Sequence, residues 1–272
     1  MKLFCVSDIH SFFTPLKKEL DRKGFEPNNL NHLLVVCGDA FDRGPESKEV
    51  YEWLNNLTNV VLVKGNHESL MEEVWNRGYF QSHDKSNGTL RTINDMFYEM
   101  CDFESHDAIK MSQKVLEPFF AKFVNYFETK NYIFVHGWIP CESFTGYDKP
   151  WYLQKKVLKY NPNWRECNDV DWDAARWING IKAGYLDKII EPGKTIVCGH
   201  WHCSYGHYIK ALKKAIKNDT DIVVNEFGPG AIWRPFKAKG ILAIDRCTAH
   251  TGKVNVVVLE DELLDESICA NI

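Results

Sequence analysis

The sequence predicts an α/β (α+β) fold of mixed β-sheets flanked by helices, and three observations carry that expectation. Short runs rich in β-branched and aromatic residues recur along the chain, helix signals separate the early runs, and the last two runs are joined by a hairpin-type turn.

The strand runs are Lys2–Val6, His32–Cys37, Val60–Val63, 132–135, Thr195–Cys198, 222–224, 241–244 and 254–259. After the first of them, Thr14 and Pro15 supply a helix cap and first helical position, and Gly24 closes the segment. Pro45 opens a second helix that runs to about Leu54. Strands that alternate with helices return through crossovers, so part of the sheet is expected to be parallel. The Thr251-Gly252 turn between 241–244 and 254–259 predicts an antiparallel pair, which makes the sheet mixed. Strand signals thin out over 69–130, a helical insertion whose clearest pieces are 68–77 and 113–128. A second insertion, 141–191, carries Trp151, Trp164, Trp172 and Trp177 among charged residues. With no internal repeat, low-complexity tract or linker, 1–272 is expected to form a single domain decorated by these two insertions.

With 44% hydrophobic and 26% charged positions in 272 residues, the chain has the material for a substantial core. A net charge of −4 gives no global attraction to nucleic acid or to an anionic membrane, so neither is expected as a partner. The opening MKLFCVSDIH lacks the apolar core and cleavage site of a signal peptide, and no apolar run nears the ~20 residues of a membrane span. A cytoplasmic location is therefore expected. The nine cysteines include no CxxC pair, and Cys5, Cys37 and Cys198 end strand-like runs, the pattern of buried reduced thiols.

The chemistry collects where the strands stop. The first run ends in Asp8 and His10, the second in Asp39, Asp42 and Arg43, and the third in Lys64, Asn66, His67 and Glu68. His136 follows the run 132–135, and His200 and His202 follow Thr195–Cys198. Ligands of α/β sheets gather beyond the carboxyl ends of the strands, so these side chains are expected to converge on one site. Carboxylate, imidazole and amide oxygen without thiolate suit manganese, iron, zinc or magnesium. Asp8, His10, Asp39, Asn66, His136, His200 and His202 exceed what one tetrahedral ion needs, and a pair of divalent ions bridged by Asp39 accounts for the surplus. Two structural readings stay open at this point: Asn66 and Glu68 as caps of the following helix, and Asp42 with Arg43 as caps of the helix near Pro45.

In that order, DIH, GDAFDRG, GNHE, VHG and GHWH resemble the signature blocks of the calcineurin-like metallophosphoesterases, from Asp8 to His202. GDAFDRG and GNHE resemble most the serine/threonine protein phosphatase branch (PPP-type), including its phage and bacterial members. The resemblance implies a four-layer metallophosphoesterase sandwich. It also implies that Asp8, His10 and Asp39, joined by His202, hold a first ion, while Asp39, Asn66, His136 and His200 hold a second. His67 would stand by the phosphoester as proton donor or charge stabiliser, oriented by Asp42, with Arg43 gripping phosphate oxygens. Ser7 and Ser11 depart from the usual Gly-Asp-x-His-Gly, and Lys64 stands where many protein phosphatases carry arginine. GHWH resembles the broader superfamily more than that branch.

The physical chemistry fits those roles. A water between two cations loses its proton near neutral pH, and the planar fork of Arg43 matches phosphate geometry. An imidazole titrating near pH ~6.5 suits His67 to protonate the leaving oxygen. Lys64 and Asn66 are further candidates for substrate contact, and Arg176 is read either as a second phosphate clamp or as a packing arginine.

The expected activity is hydrolysis of phosphate monoesters in the manner of a serine/threonine protein phosphatase, with two divalent ions, manganese foremost, and a phosphorylated substrate. The alternative is a dinucleoside polyphosphate (diadenosine tetraphosphate-type) or small phosphodiester hydrolase, for which Trp151, Tyr152, Trp164 and Trp177 offer a stacking wall. A binding scaffold without activity is the third reading, and it would show lost metal donors, whereas every expected donor is present.

Overall fold

A computed structural model describes residues 1–97, 106–145 and 156–264. Two mixed sheets form its centre. The first contains β1 (Lys2–Val6), β2 (His32–Cys37), β3 (Val60–Val63) and β11 (Val257–Glu260), in the order β11-β1-β2-β3. The second contains β4 (Phe127–Glu128), β5 (Tyr132–Phe134), β8 (Thr195–Cys198), β9 (Phe236–Ala238) and β10 (Ile241–Ala243), in the order β4-β5-β8-β10-β9. In each sheet three parallel strands lie side by side, β1-β2-β3 and β5-β8-β10, with β11 antiparallel at one edge of the first sheet and β4 and β9 antiparallel at the two edges of the second. A separate hairpin pairs β6 (Cys141–Thr145) with β7 (Lys156–Tyr160).

The unbroken apolar runs of these strands follow from burial on both faces. Successive side chains point to opposite faces, so Leu3, Cys5, Val35 and Cys37 pack against Phe127, Phe134, Val197 and Leu242 between the sheets. Phe4, Val6, Leu34 and Val36 face the opposite way, into a helical layer. On the outer face of the second sheet, Ile133, Ile196 and Ile241 meet Trp138, Trp164 and Trp172. The result is the four-layer order of helices, sheet, sheet and helices.

The first helical layer contains α1 (Phe13–Lys23), α2 (Ser47–Asn56), α3 (Asn66–Arg77), α4 (Ser82–Asn87), α5 (Thr89–Phe97) and α6 (His106–Phe120). Met71, Val74, Trp75, Ile93, Leu116 and Phe119 enter the same cluster as Phe4 and Leu34, so the predicted helical insertion closes the core rather than decorating it. On the other side lie α7 (Asp169–Arg176), α8 (Cys203–Asn218) and the short α9 (Thr248–Thr251). Among the described residues no helix is long and apolar enough to cross a membrane, and the cysteines are free.

Several element expectations need correction. The runs 241–244 and 254–259 do not pair: β10 lies beside β8 and β9 in the second sheet and β11 beside β1 in the first, with α9 between them. Each strand pairs in a different layer, β10 between β8 and β9 and β11 at the edge beside β1. The run 222–224 is not a strand, and Val223 is 86% exposed among Asp219, Asp221 and Glu226. Helix α6 stops at Phe120, because the backbone of Val124 turns to pair with Leu62 and Lys64 and Phe127 enters β4. Thr14 lies inside α1, its N–H and hydroxyl bonded to Glu46, while Gly24 closes the helix at φ 78° as expected. Helix α2 starts at Ser47, whose N–H donates to Asp95.

Candidate metal centre

Residues after five of the six central parallel strands line one cleft of about 240 Å³, and His136, after the remaining one, β5, lies against Asp39 and Asn66 of that lining. Asp8 and His10 follow β1, Asp39 follows β2, and Asn66 and His67 open α3 after β3. His200 follows β8, and His136 follows β5. Their loops hold unusual backbone: Asp8, His10, Ser11, Asp39, Asp42, Arg43 and His200 all have positive φ. For residues other than glycine that conformation carries a cost, and it gathers where side chains must be aimed against local preference.

Asp39 is the centre of the arrangement. Its Oδ2 lies 3.7 Å from His10 Nε2 and 3.9 Å from His67 Nε2, whereas its Oδ1 lies 3.4 Å from His136 Nε2. Two groups of prospective ligands, His10-Asp39-His67 and Asp39-His136-His200, therefore share this one carboxylate. Burial works against the charge of Asp39, but the imidazoles of His136, His67, His10 and His200 outweigh it and hold the carboxyl well below its ordinary range.

Backbone carbonyls fix the tautomers. His10 Nδ1 lies 3.0 Å from the Phe41 carbonyl and His136 Nδ1 2.9 Å from that of Cys37. A carbonyl only accepts, so each Nδ1 carries a proton and Nε2 is left as donor atom for a cation. His136 Nε2 faces Asn66 Oδ1 at 2.8 Å. His200 donates to the carbonyl of Trp177; burial lowers its pKa to about 4, with His136 adding to the effect. Asp8 accepts from the N–H of His200, and burial raises it to about 6, opposed by His136 and assisted by Asp39. Lone pairs of carboxylate, imidazole and amide oxygen thus face one another across the cleft, a donor set that fits hard to borderline divalent ions.

His67 has a second-layer apparatus. Its Nδ1 donates to Asp42 Oδ2 at 2.7 Å, and Thr89 and Thr92 donate to the two oxygens of Asp42 at 3.0 and 2.7 Å. Burial disfavours the imidazolium, but Asp39 and Asp42 outweigh it and raise His67 to about 9. Asp42 is thus occupied with His67 and does not cap α2. Arg43 is exposed at the cleft, and its guanidinium lies 3.2 Å from His10 Nε2 and 3.0 Å from His67 Nε2.

Not every candidate joins. Lys64 and Arg176 meet in a separate cavity of about 740 Å³ on the other side of α3, where Lys64 pairs with Glu72. Arg176, 6% exposed, donates to Ser69, Asp173 and Asn125. Both cations are spent on protein acceptors away from the cleft, so the clamp reading of Arg176 gives way to the packing one. His202 borders the cleft, but its Nδ1 accepts from the N–H of Tyr205 as the cap of α8. The proton is thereby placed on Nε2, 3.3 Å from Glu226. Of the proposed aromatic wall, Trp164 is fully buried, Trp177 stands half-exposed at the cleft with its ring edge on His200, and Trp151 and Tyr152 lie outside the described residues.

Four contributors were not assigned from the sequence. Glu68, read there as a helix-end charge, accepts the N–H groups of Asp39, Ala40 and Gly65 and so ties the second and third loops together. Burial, with the Asp39 charge adding, raises it to about 7. Thr89 and Thr92 hold Asp42. Asp245 lines the cleft two residues beyond β10, and burial, with the Asp8 charge adding, raises it well above its ordinary range. It follows an apolar run just as Asp8 and Asp39 do, which was the available signal.

The family model for calcineurin-like phosphoesterases matches residues 1–204. The chain belongs to that family. Among curated proteins, it is 34% identical over 112 residues to serine/threonine-protein phosphatase 2 of Escherichia coli (strain K12), covering 41% of this chain and 47% of that protein. It is 30% identical over 147 residues to the symmetrical bis(5'-nucleosyl)-tetraphosphatase of Pseudomonas putida (strain ATCC 700007 / DSM 6899 / JCM 31910 / BCRC 17059 / LMG 24140 / F1), covering 54% of this chain and 45% of that protein. The match thus spans about half the length of these curated relatives. Among solved structures, a cold-active protein tyrosine phosphatase superposes with a TM-score of 0.51 at 13% identity, over 95% of this chain and 73% of that one. At that identity the likeness concerns the calcineurin-like fold alone.

Proposed function

We propose that the chain is a dinuclear metal-dependent phosphoesterase that hydrolyses phosphate monoesters, in the manner of serine/threonine protein phosphatases. The observation that carries this reading is Asp39, whose two oxygens face two different groups of imidazoles. Asp8, His10 and Asp39 would hold one ion, and Asp39, Asn66, His136 and His200 the other. When bound, such a pair of ions supplies an activated water and offsets charge on the phosphoryl oxygens. Manganese heads the candidates, with iron, zinc or magnesium as alternatives.

The chain's own groups do the remaining work. Arg43, exposed at the mouth, swings from its two imidazole contacts to present its fork to two phosphate oxygens. His67, held protonated by Asp42 and Asp39, gives a proton from Nε2 to the leaving ester oxygen. Thr89 and Thr92 keep Asp42 in place, and Asp42 keeps the His67 ring aimed.

Trp177 supports a second reading. A half-exposed indole beside His200 suits a nucleobase or another aromatic group next to the phosphate, as in a dinucleoside polyphosphate. Purified protein with Mn²⁺, offered p-nitrophenyl phosphate, its bis-ester, phosphoserine and phosphothreonine peptides and diadenosine tetraphosphate, separates the two. The first reading expects the highest kcat/KM on monoesters; preference for diadenosine tetraphosphate would replace it with the second.

A further inference from the structure

We infer that Asp245, and not His202, completes the site of the first ion beside Asp8, His10 and Asp39. The inference rests on the two-ion reading and adds a ligand that no signature block contains, beyond the stretch 1–204 matched by the family model.

Topology is the first support. Strand β10 runs parallel to β8 with Ala243 opposite Cys198. Two residues beyond Cys198 stands His200, and two residues beyond Ala243 stands Asp245. The pairing continues past the strand ends, since Ile244 N–H donates to Cys198 O at 2.9 Å and Cys203 N–H to Asp245 O at 2.9 Å. Asp245 is therefore the residue that the sixth parallel strand delivers to the crevice, as the other five deliver theirs.

The side chain itself is the second. Asp245 is 5% exposed and lines the same cleft as Asp8, His10 and Asp39. Its Oδ1 accepts the N–H of Cys247 at 2.5 Å. Among the described residues no lysine, arginine or histidine forms an ion pair with it. Neighbouring Arg246 is bonded to Asn255, and Arg43, whose charge reaches Asp245 across the cleft, lies against His10 and His67 and forms no ion pair with it. A buried carboxylate set among other carboxylates, without a cation of its own, is the arrangement a metal ion relieves.

The third support is the state of His202. Its Nδ1 receives the Tyr205 N–H and lies 2.9 Å from Ser204 Oγ, while Nε2 faces Glu226. Phe227 and Trp233 pack against the ring. Neither nitrogen keeps a lone pair for an ion, so a hard carboxylate takes the place the motif leaves to imidazole.

The test uses the full chain, stripped with chelator and titrated with Mn²⁺, with free ion followed by electron paramagnetic resonance and bound ion by elemental analysis. Asp245→Asn keeps an oxygen for the Cys247 N–H but removes the charge. Wild type is expected to bind two ions, Asp245→Asn to weaken one of them by at least about tenfold, and His202→Gln to bind both as wild type does. The stripped Asp245→Asn protein should melt no lower than stripped wild type, whereas a merely structural carboxylate would lower the melting temperature when replaced. Two tight ions in Asp245→Asn, or loss of an ion in His202→Gln, would overturn the assignment. Fewer than two ions in wild type would instead bring down the two-ion reading on which it stands.

Discussion

Asp42 accepts the Nδ1 proton of His67 at 2.7 Å, and both side chains are almost fully buried. The pair is clamped from a distant segment, since Thr89 and Thr92 of the helical region each donate to Asp42. Helix α5, which helps to close the first core, thus also sets the orientation of the prospective proton donor.

His67→Ala is expected to retain both ions and to lower kcat by about 10²–10⁴-fold on alkyl phosphates. On p-nitrophenyl phosphate, whose leaving group needs little protonation, the loss should be far smaller. Thr92→Val should lower kcat by up to about 100-fold with ion content unchanged, because it acts only through the placement of Asp42. Steady-state kinetics with both substrate types, alongside metal analysis, check these outcomes; equal losses on the two substrates would contradict the proton-donor role.

Glu68 receives three buried N–H groups from the loops that carry Asp39 and Asn66. Glu68→Ala leaves these donors without an acceptor and is expected to destabilise the protein by about 3 kcal/mol or more. Urea unfolding of the stripped protein reads this directly, and a change under about 1 kcal/mol would show that water replaces the carboxylate.

A Cβ on Gly65 would overlap the carboxylate and backbone nitrogen of Asp39. Gly65→Ala is therefore expected to displace Asp39 and to lower bound metal below two ions. By contrast, Gly24 has open space around it and only a left-handed φ of 78°, so Gly24→Ala should cost about 1 kcal/mol and leave ion uptake intact. Metal analysis and thermal melts of the two variants make the comparison.

Arg165 joins Glu128 and Glu191, tying the segment before α7 to the second sheet. Burial would raise both carboxyls, but hydrogen bonds outweigh it and hold both below the ordinary range: from Arg165 and Lys194 to Glu128, and from Tyr160, Trp164 and Arg165 to Glu191. Groups lowered on folding contribute stability that is present above the unfolded carboxylate value, about pH 4.3, and lost as pH falls through their folded values. Arg165→Met should therefore be less stable than wild type at pH 7 by about 1 kcal/mol, given the partial exposure, and this gap should shrink toward pH 3. Urea midpoints across pH measure it; a gap independent of pH would mean that Arg165 acts by packing on Trp164 instead.

Much of the fold was legible because local and global preferences agree in the central strands. Runs such as LLVVC are apolar on both faces since each lies between a sheet and a helical layer, and each stops at a polar residue where the crevice begins. The same logic placed Asp8, Asp39, Asn66 and His200 beside one another at the cleft, with His136 against Asp39 and Asn66. It failed where a residue's partner is remote in sequence: nothing near Arg176 announces Ser69 and Asn125, and nothing near Lys64 sends it away from the cleft. Asp245 was hidden by the hairpin expectation, which treated the end of β10 as the start of a turn. Val223 shows the converse, since an apolar run does not become a strand when its side chains enter no core, and Val223 stays 86% exposed.

The central claim is that one carboxylate, Asp39, joins two ions. Anomalous diffraction from a crystal of the full chain grown with Mn²⁺, collected at the manganese edge, tests it most directly. The account predicts two peaks about 3.5 to 4 Å apart with one Asp39 oxygen toward each. A single peak, or two peaks with Asp39 bound to neither, would contradict it.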